Sequence, residues 1–112
     1  MWLDDEDEID RFTAVAGSGP GYVFELLRAY EEAAVEIGFD RETARELVLG
    51  TVAGTTEMAV RDERPLAELR GDVTSPNGTT QAGLDALRTD GTMERLLRET
   101  VRAAYDRAVE LR

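Results

Sequence analysis

The sequence predicts an all-α fold: five or six helices in a single domain covering residues 1–112. Three observations predict it. Apolar residues recur at helical spacing in three long stretches. Gly, Pro, Ser and Asp punctuate those stretches where helices start and stop. No stretch alternates apolar and polar residues as a half-buried strand would.

The opening MWLDDEDEID carries six acids in ten residues. Clustered like charges repel and stay hydrated, so this segment is expected to be a solvated leader. A weak cation site is the other reading, but the spaced ligands and glycine of a calcium loop are missing.

The first long helix follows Gly17-Ser18-Gly19. Ser18 or Gly19 can cap it, and Pro20 suits its first turn. Val23, Leu26, Leu27, Tyr30, Ala33, Ala34 and Ile37 form its stripe, and Gly38 marks its end. The GSGPG run is not a nucleotide loop, because Tyr22 stands where GxGxxG needs glycine and no strand precedes it.

Asp40 is a good cap for the second long helix, with Glu42 favourable in its first turn. Its stripe runs Ala44, Leu47, Val48, Thr51, Val52, Thr55, Met58 and Ala59, with Met58 expected as core filler. Gly50 and Gly54 each weaken an exposed helix by about 1 kcal/mol relative to alanine. They make sense where another helix backbone comes close. A short helix opening at Pro65 is expected next, then the loop TSPNGTT at 74–80, then a short helix through TQAGLDALRTDG. Thr92 can cap the last helix, whose stripe is Met93, Leu96, Leu97, Val101, Ala104, Tyr105, Ala108 and Leu111. The stripes are rich in Ala, Val and Thr. Each such residue buries little area at about 25 cal/mol per Å². Helices of this kind often complete their core against a partner chain.

Composition excludes several functions. Cysteine and histidine are absent, which removes thiolate nucleophiles, a Ser-His-Asp triad and the commonest metal ligand. The net charge is −11, and all thirteen basic residues are arginines. Phosphate contact needs a basic face, so nucleic acid is not an expected partner. No apolar run has the length of a membrane span and no signal-peptide pattern occurs, so a cytoplasmic protein without a membrane partner is expected.

The 74–80 loop stands apart: seven uncharged residues with four hydroxyls in an acid-rich chain. Pro76 pushes Ser75 toward an extended conformation, and Asn77-Gly78 is a turn pair that tolerates positive φ. Thr79 and Thr80 then open a helix. One reading is a turn with an N-cap. The other is an anion site, because the first amides of a helix have no internal partner and sit at its positive end.

The order of these pieces resembles a known family. DRFTAVAGSGPGYVFELL, GTVAGTTEM, LRGDVTSPNGTTQAGLDALRTDG and VRAAYDRAVEL together look like the C-terminal dimerisation domain of pyrroline-5-carboxylate reductase, from about Trp2 to Leu111. The family signature V-[ST]-S-P-G-G-[TA]-T reads here Val73-Thr74-Ser75-Pro76-Asn77-Gly78-Thr79-Thr80. The family's GSGPA helix start appears as Gly17 to Gly21.

The resemblance implies an interlaced homodimer, with decamers as a higher assembly. It implies an oxidoreductase of proline biosynthesis that reduces 1-pyrroline-5-carboxylate to L-proline with NADP or NAD. Ser75, Asn77, Gly78, Thr79 and Thr80 would bind substrate, the carboxylate meeting Ser75 and the amides near Gly78 and Thr79. Thr80 would be the catalytic hydroxyl at the ring nitrogen. The family's Rossmann domain has no counterpart in this sequence. The expectation is an enzyme half, inactive alone and holding no cofactor or metal by itself. The alternative is a non-catalytic helical dimerisation module that kept the scaffold. Asn77 for glycine and Gly21 for alanine are the two departures from the family pattern.

Overall fold

The computed structural model describes residues 5–112. All regular structure among them is helical. Residues 1–4, which hold Trp2 and the start of the expected leader, lie outside the described part.

Six α-helices follow one another: α1 (Glu6–Phe12), α2 (Gly19–Glu36), α3 (Arg41–Arg61), α4 (Leu66–Asp72), α5 (Thr79–Leu87) and α6 (Thr92–Glu110). A π-helical turn (Thr13–Gly17) joins α1 to α2, and a 3-10 turn (Thr89–Gly91) joins α5 to α6. Two compact units result. One comprises 5–23 and 84–112, the other 24–83.

In the first unit, α6 packs against α1 and the π-helical turn. From Glu6 on, the acidic run is a helix rather than a solvated leader. Asp5 caps it by accepting from the Glu8 N–H at 2.7 Å, and Glu6, Asp7 and Glu8 lie at the positive end of the helix. Asp10 turns inward, 8% exposed, and accepts from Arg112 Nε at 2.7 Å. Tyr105 donates to Asp7. A π-helical turn disrupts the usual i→i−4 ladder. Here the Ala14 carbonyl accepts from the Tyr22 hydroxyl at 2.7 Å.

In the second unit, α2 ends where Gly38 predicts. Gly38 N–H reaches the Val35 carbonyl and Phe39 N–H reaches that of Ala34, with Gly38 at φ 121°, the Schellman arrangement. Asp40 caps α3 as expected, accepting from the Thr43 N–H at 2.8 Å. Arg41 then bridges Glu31 and Glu32 of α2, each at 2.9 Å. Ala44 and Val48 are buried.

Two further expectations differ from what forms. Met58 is not core filler within the chain: it is 60% exposed. A stripe as wide as that of α3 has more apolar surface than one chain covers. Thr92 is the first residue of α6 rather than its cap. Asp90 and Gly91 are both left-handed, so Gly91 takes the cap position.

Candidate functional site

The 73–80 segment is built from its two ends. At the α4 end, Thr74 N–H bonds the Gly71 carbonyl at 3.1 Å, and its hydroxyl donates to the Arg70 carbonyl at 2.6 Å. Thr74 therefore ties the loop to carbonyls that the end of a helix leaves without partners.

The loop itself is a tight turn. Gly78 N–H donates to the Ser75 carbonyl at 3.1 Å. Pro76 stands second in that turn and Asn77 third, with Asn77 at φ 60°, the type II pattern. Asparagine is among the few side chains that accept this conformation, so the turn forms despite the missing glycine. Gly78 suits its position for a different reason. A β-carbon there would sit 3.3 Å from the Ser75 carbonyl oxygen.

At the α5 end, the Gly78 carbonyl accepts the Ala82 N–H at 3.1 Å, so Gly78 is the last residue before the helix. The Thr79 and Thr80 amides head α5, where the first N–H groups of a helix have no intrahelical partner. The turn uses the Gly78 N–H. The Thr79 and Thr80 amides are the ones placed at the positive helix end. Ser75, Thr79 and Thr80 are all exposed. Ser75 and Thr80, five residues apart in sequence, thus flank one helix start. A turn with free hydroxyls around a helix start offers donors to a small anion and a hydroxyl that can give or take a hydrogen bond.

Arg64 is the charge that sequence reading missed. It stands before α4 and binds Asp62 at the end of α3 and Asp72 at the end of α4. Its Nη2 lies 2.9 Å from Asp62 and 2.6 Å from Asp72, and its own N–H bonds Asp62 at 3.1 Å. These contacts hold the Asp62 carboxyl below its usual range and push the Arg64 guanidinium up. The signal was the Asp-x-Arg spacing at 62–64, but pairing across a whole helix is not visible in sequence.

In the first unit, α1, the π-helical turn and α6 border an open groove of about 1010 Å³. Ala14, Val15, Leu97 and Val101 give it an apolar floor, with Arg98 and Arg102 along its border. Among the described residues, no group of three or more acids is placed to hold a metal ion. No described helix is long and apolar enough to cross a membrane.

An all-helical chain carrying this loop has the character of a helical dimerisation domain. Residues 6–111 match the family model described as pyrroline-5-carboxylate reductase dimerisation. The chain belongs to that family. It is 47% identical over 111 residues to a pyrroline-5-carboxylate reductase of Pseudomonas aeruginosa, covering 99% of this chain and 40% of that protein. It is 41% identical over 110 residues to pyrroline-5-carboxylate reductase 2 of Bacillus subtilis, covering 98% of this chain and 39% of that one. Its fold matches the Coxiella burnetii pyrroline-5-carboxylate reductase with a TM-score of 0.92 at 40% identity, over 99% of this chain and 41% of that structure. It matches the Plasmodium falciparum enzyme, solved with NADP bound, with a TM-score of 0.87 at 31% identity, over 94% of this chain and 40% of that structure. The chain thus spans about 40% of the length of the curated relatives it matches.

Proposed function

We propose that this chain is the substrate-binding and dimerisation part of a pyrroline-5-carboxylate reductase, an oxidoreductase that reduces the C=N bond of 1-pyrroline-5-carboxylate to give L-proline in the cytoplasm. The observation that carries this reading is the Ser75–Thr80 turn. It puts the exposed Ser75, Thr79 and Thr80 beside the start of α5, in a chain of this family.

Substrate carboxylate sits against the Thr79 and Thr80 amides, with the Ser75 hydroxyl donating to it. Gly78 keeps the turn closed, and Asn77 forms its outer wall. The Thr80 hydroxyl hydrogen-bonds the ring nitrogen and helps its protonation as the C=N bond is reduced. The nicotinamide cofactor, NADP or NAD, supplies the hydride when bound by the part of the reductase beyond this span. Catalysis by these residues is positioning and hydrogen bonding, which suits a segment without His, Cys or Lys.

The working unit is a homodimer, with decamers as its higher assembly. Among the described residues, Ala14, Ala44 and Val48 are the only buried apolar ones, while Phe24 is 73% and Ile37 81% exposed. Gly50 and Gly54 have open space where a side chain would be. A second copy supplies the missing cover.

The test is a titration with L-proline, the product, followed at the backbone amides of this chain. Shifts centred on residues 75 and 77–80, lost in Thr80→Val, are expected. A dimeric chain with no response in the loop contradicts substrate binding and leaves a dimerisation module.

A further inference from the structure

The structure assigns Arg64 a positioning role: it ties the end of α4 back to the end of α3 and so sets how the 73–80 turn is presented. The inference rests on the reading of that turn as the substrate-carboxylate site.

α4 is a seven-residue helix that, among the described residues, packs extensively against no other helix. Something other than burial must hold it. It also ends on Asp72, a carboxylate at the negative end of a helix dipole, which is unfavourable without a cation. Arg64 answers both needs. Its guanidinium bonds Asp72 at 2.6 Å and Asp62, just past α3, at 2.9 Å, spanning the whole of α4. Asp72 is followed at once by Val73 and Thr74, and Thr74 is itself bonded to the last turn of α4. Any tilt of α4 therefore moves Ser75 directly. A single exposed ion pair contributes little, but a planar guanidinium shared by two carboxylates restricts geometry as well. Lysine offers a point charge and cannot reproduce the shared fork.

The experiment uses this chain with three variants: Arg64→Gln, Arg64→Lys and Asp72→Asn. Amide hydrogen exchange is read at Thr74 and Gly78, whose N–H groups are bonded within the loop, together with L-proline affinity and the thermal midpoint. Arg64→Gln and Asp72→Asn are expected to speed exchange in the loop and weaken proline binding by roughly threefold to tenfold, the scale of a small charge network. The thermal midpoint should move little, and Arg64→Lys should recover part of the affinity. Unchanged loop exchange in both Arg64→Gln and Asp72→Asn overturns the positioning role. Faster exchange with wild-type proline affinity also overturns it. A wild-type chain that gives no proline response sinks the proposed function instead, and loop exchange alone then decides whether Arg64 holds the turn.

Discussion

Asp10 and Arg112 are 102 residues apart in sequence, yet Arg112 Nε lies 2.7 Å from the Asp10 carboxylate. Tyr105 donates to Asp7 one turn away on the same helix. These two contacts join α1 to the end of α6 and close the first unit. Losing one partner of such a pair is worse than losing both, because it leaves the inward-facing carboxylate uncompensated. Arg112→Ala should lower the thermal midpoint by roughly 5 °C, a typical shift for a small domain. Adding Asp10→Asn to it should recover part of that loss. A double variant less stable than the single one would contradict the pairing.

The Tyr105–Asp7 contact gives a pH prediction. The Tyr105 hydrogen bond, helped by Arg11 and Arg112, holds the Asp7 carboxyl below its ordinary 3.8. The same bond to Asp7, with burial, raises Tyr105 above 10.0. A depressed carboxylate stabilises the fold above its unfolded pKa and loses that contribution as pH falls through the folded value. A raised phenol stabilises it below its unfolded pKa and loses that as pH rises through the folded value. The stability gap between wild type and Tyr105→Phe should therefore be widest between pH 3.8 and 10.0 and close on either side. Thermal melts across pH check this. A gap independent of pH would contradict it.

The signature turn separates two kinds of glycine requirement. At Asn77 the issue is φ, so Asn77→Gly should keep the turn, whereas Asn77→Val should cost about 1–2 kcal/mol. At Gly78 the issue is space. The Ser75 carbonyl stands 3.3 Å from any added β-carbon, so Gly78→Ala must shift that carbonyl by a few tenths of an ångström and strain the turn. It should weaken L-proline binding by roughly tenfold, the equivalent of about 1.4 kcal/mol, with little change in the melt. Proline affinity equal to wild type would show that the turn does not shape the site.

Packing in α3 distinguishes folding from association. Val48 is 3% exposed, and Val48→Ala should destabilise the chain by about 2 kcal/mol through lost transfer energy and a residual cavity. Gly54 has nothing within 4 Å of its missing β-carbon, so one chain has room for Gly54→Leu. That variant should keep its helical circular dichroism and lose the dimer. A Gly54→Leu chain that still dimerises with wild-type affinity would place α3 outside the interface.

Much of this was legible in the sequence because it is local. Asp40 and Gly38 announce their helix ends through side-chain size and φ preference alone. Pro76-Asn77-Gly78 announces its turn for the same reason. What was not legible depends on distant partners. The acid run at 5–10 reads as a hydrated leader until Arg112 and Tyr105 arrive from the other end of the chain. The π-helical turn at Thr13–Gly17 leaves no pattern, because its Ala14 carbonyl depends on Tyr22. Met58 reads as core because a stripe shows which face is apolar but not whether this chain or another covers it.

The central claim is that this chain is half of a core that a second copy completes around the substrate turn. Sedimentation velocity over a dilution series, at low and high salt, tests it most directly. A species of twice the 12.4 kDa chain mass is expected. Salt should strengthen it, because two chains of net charge −11 repel and ions screen that repulsion. A fully helical monomer that persists at high concentration and at both salts would contradict the account.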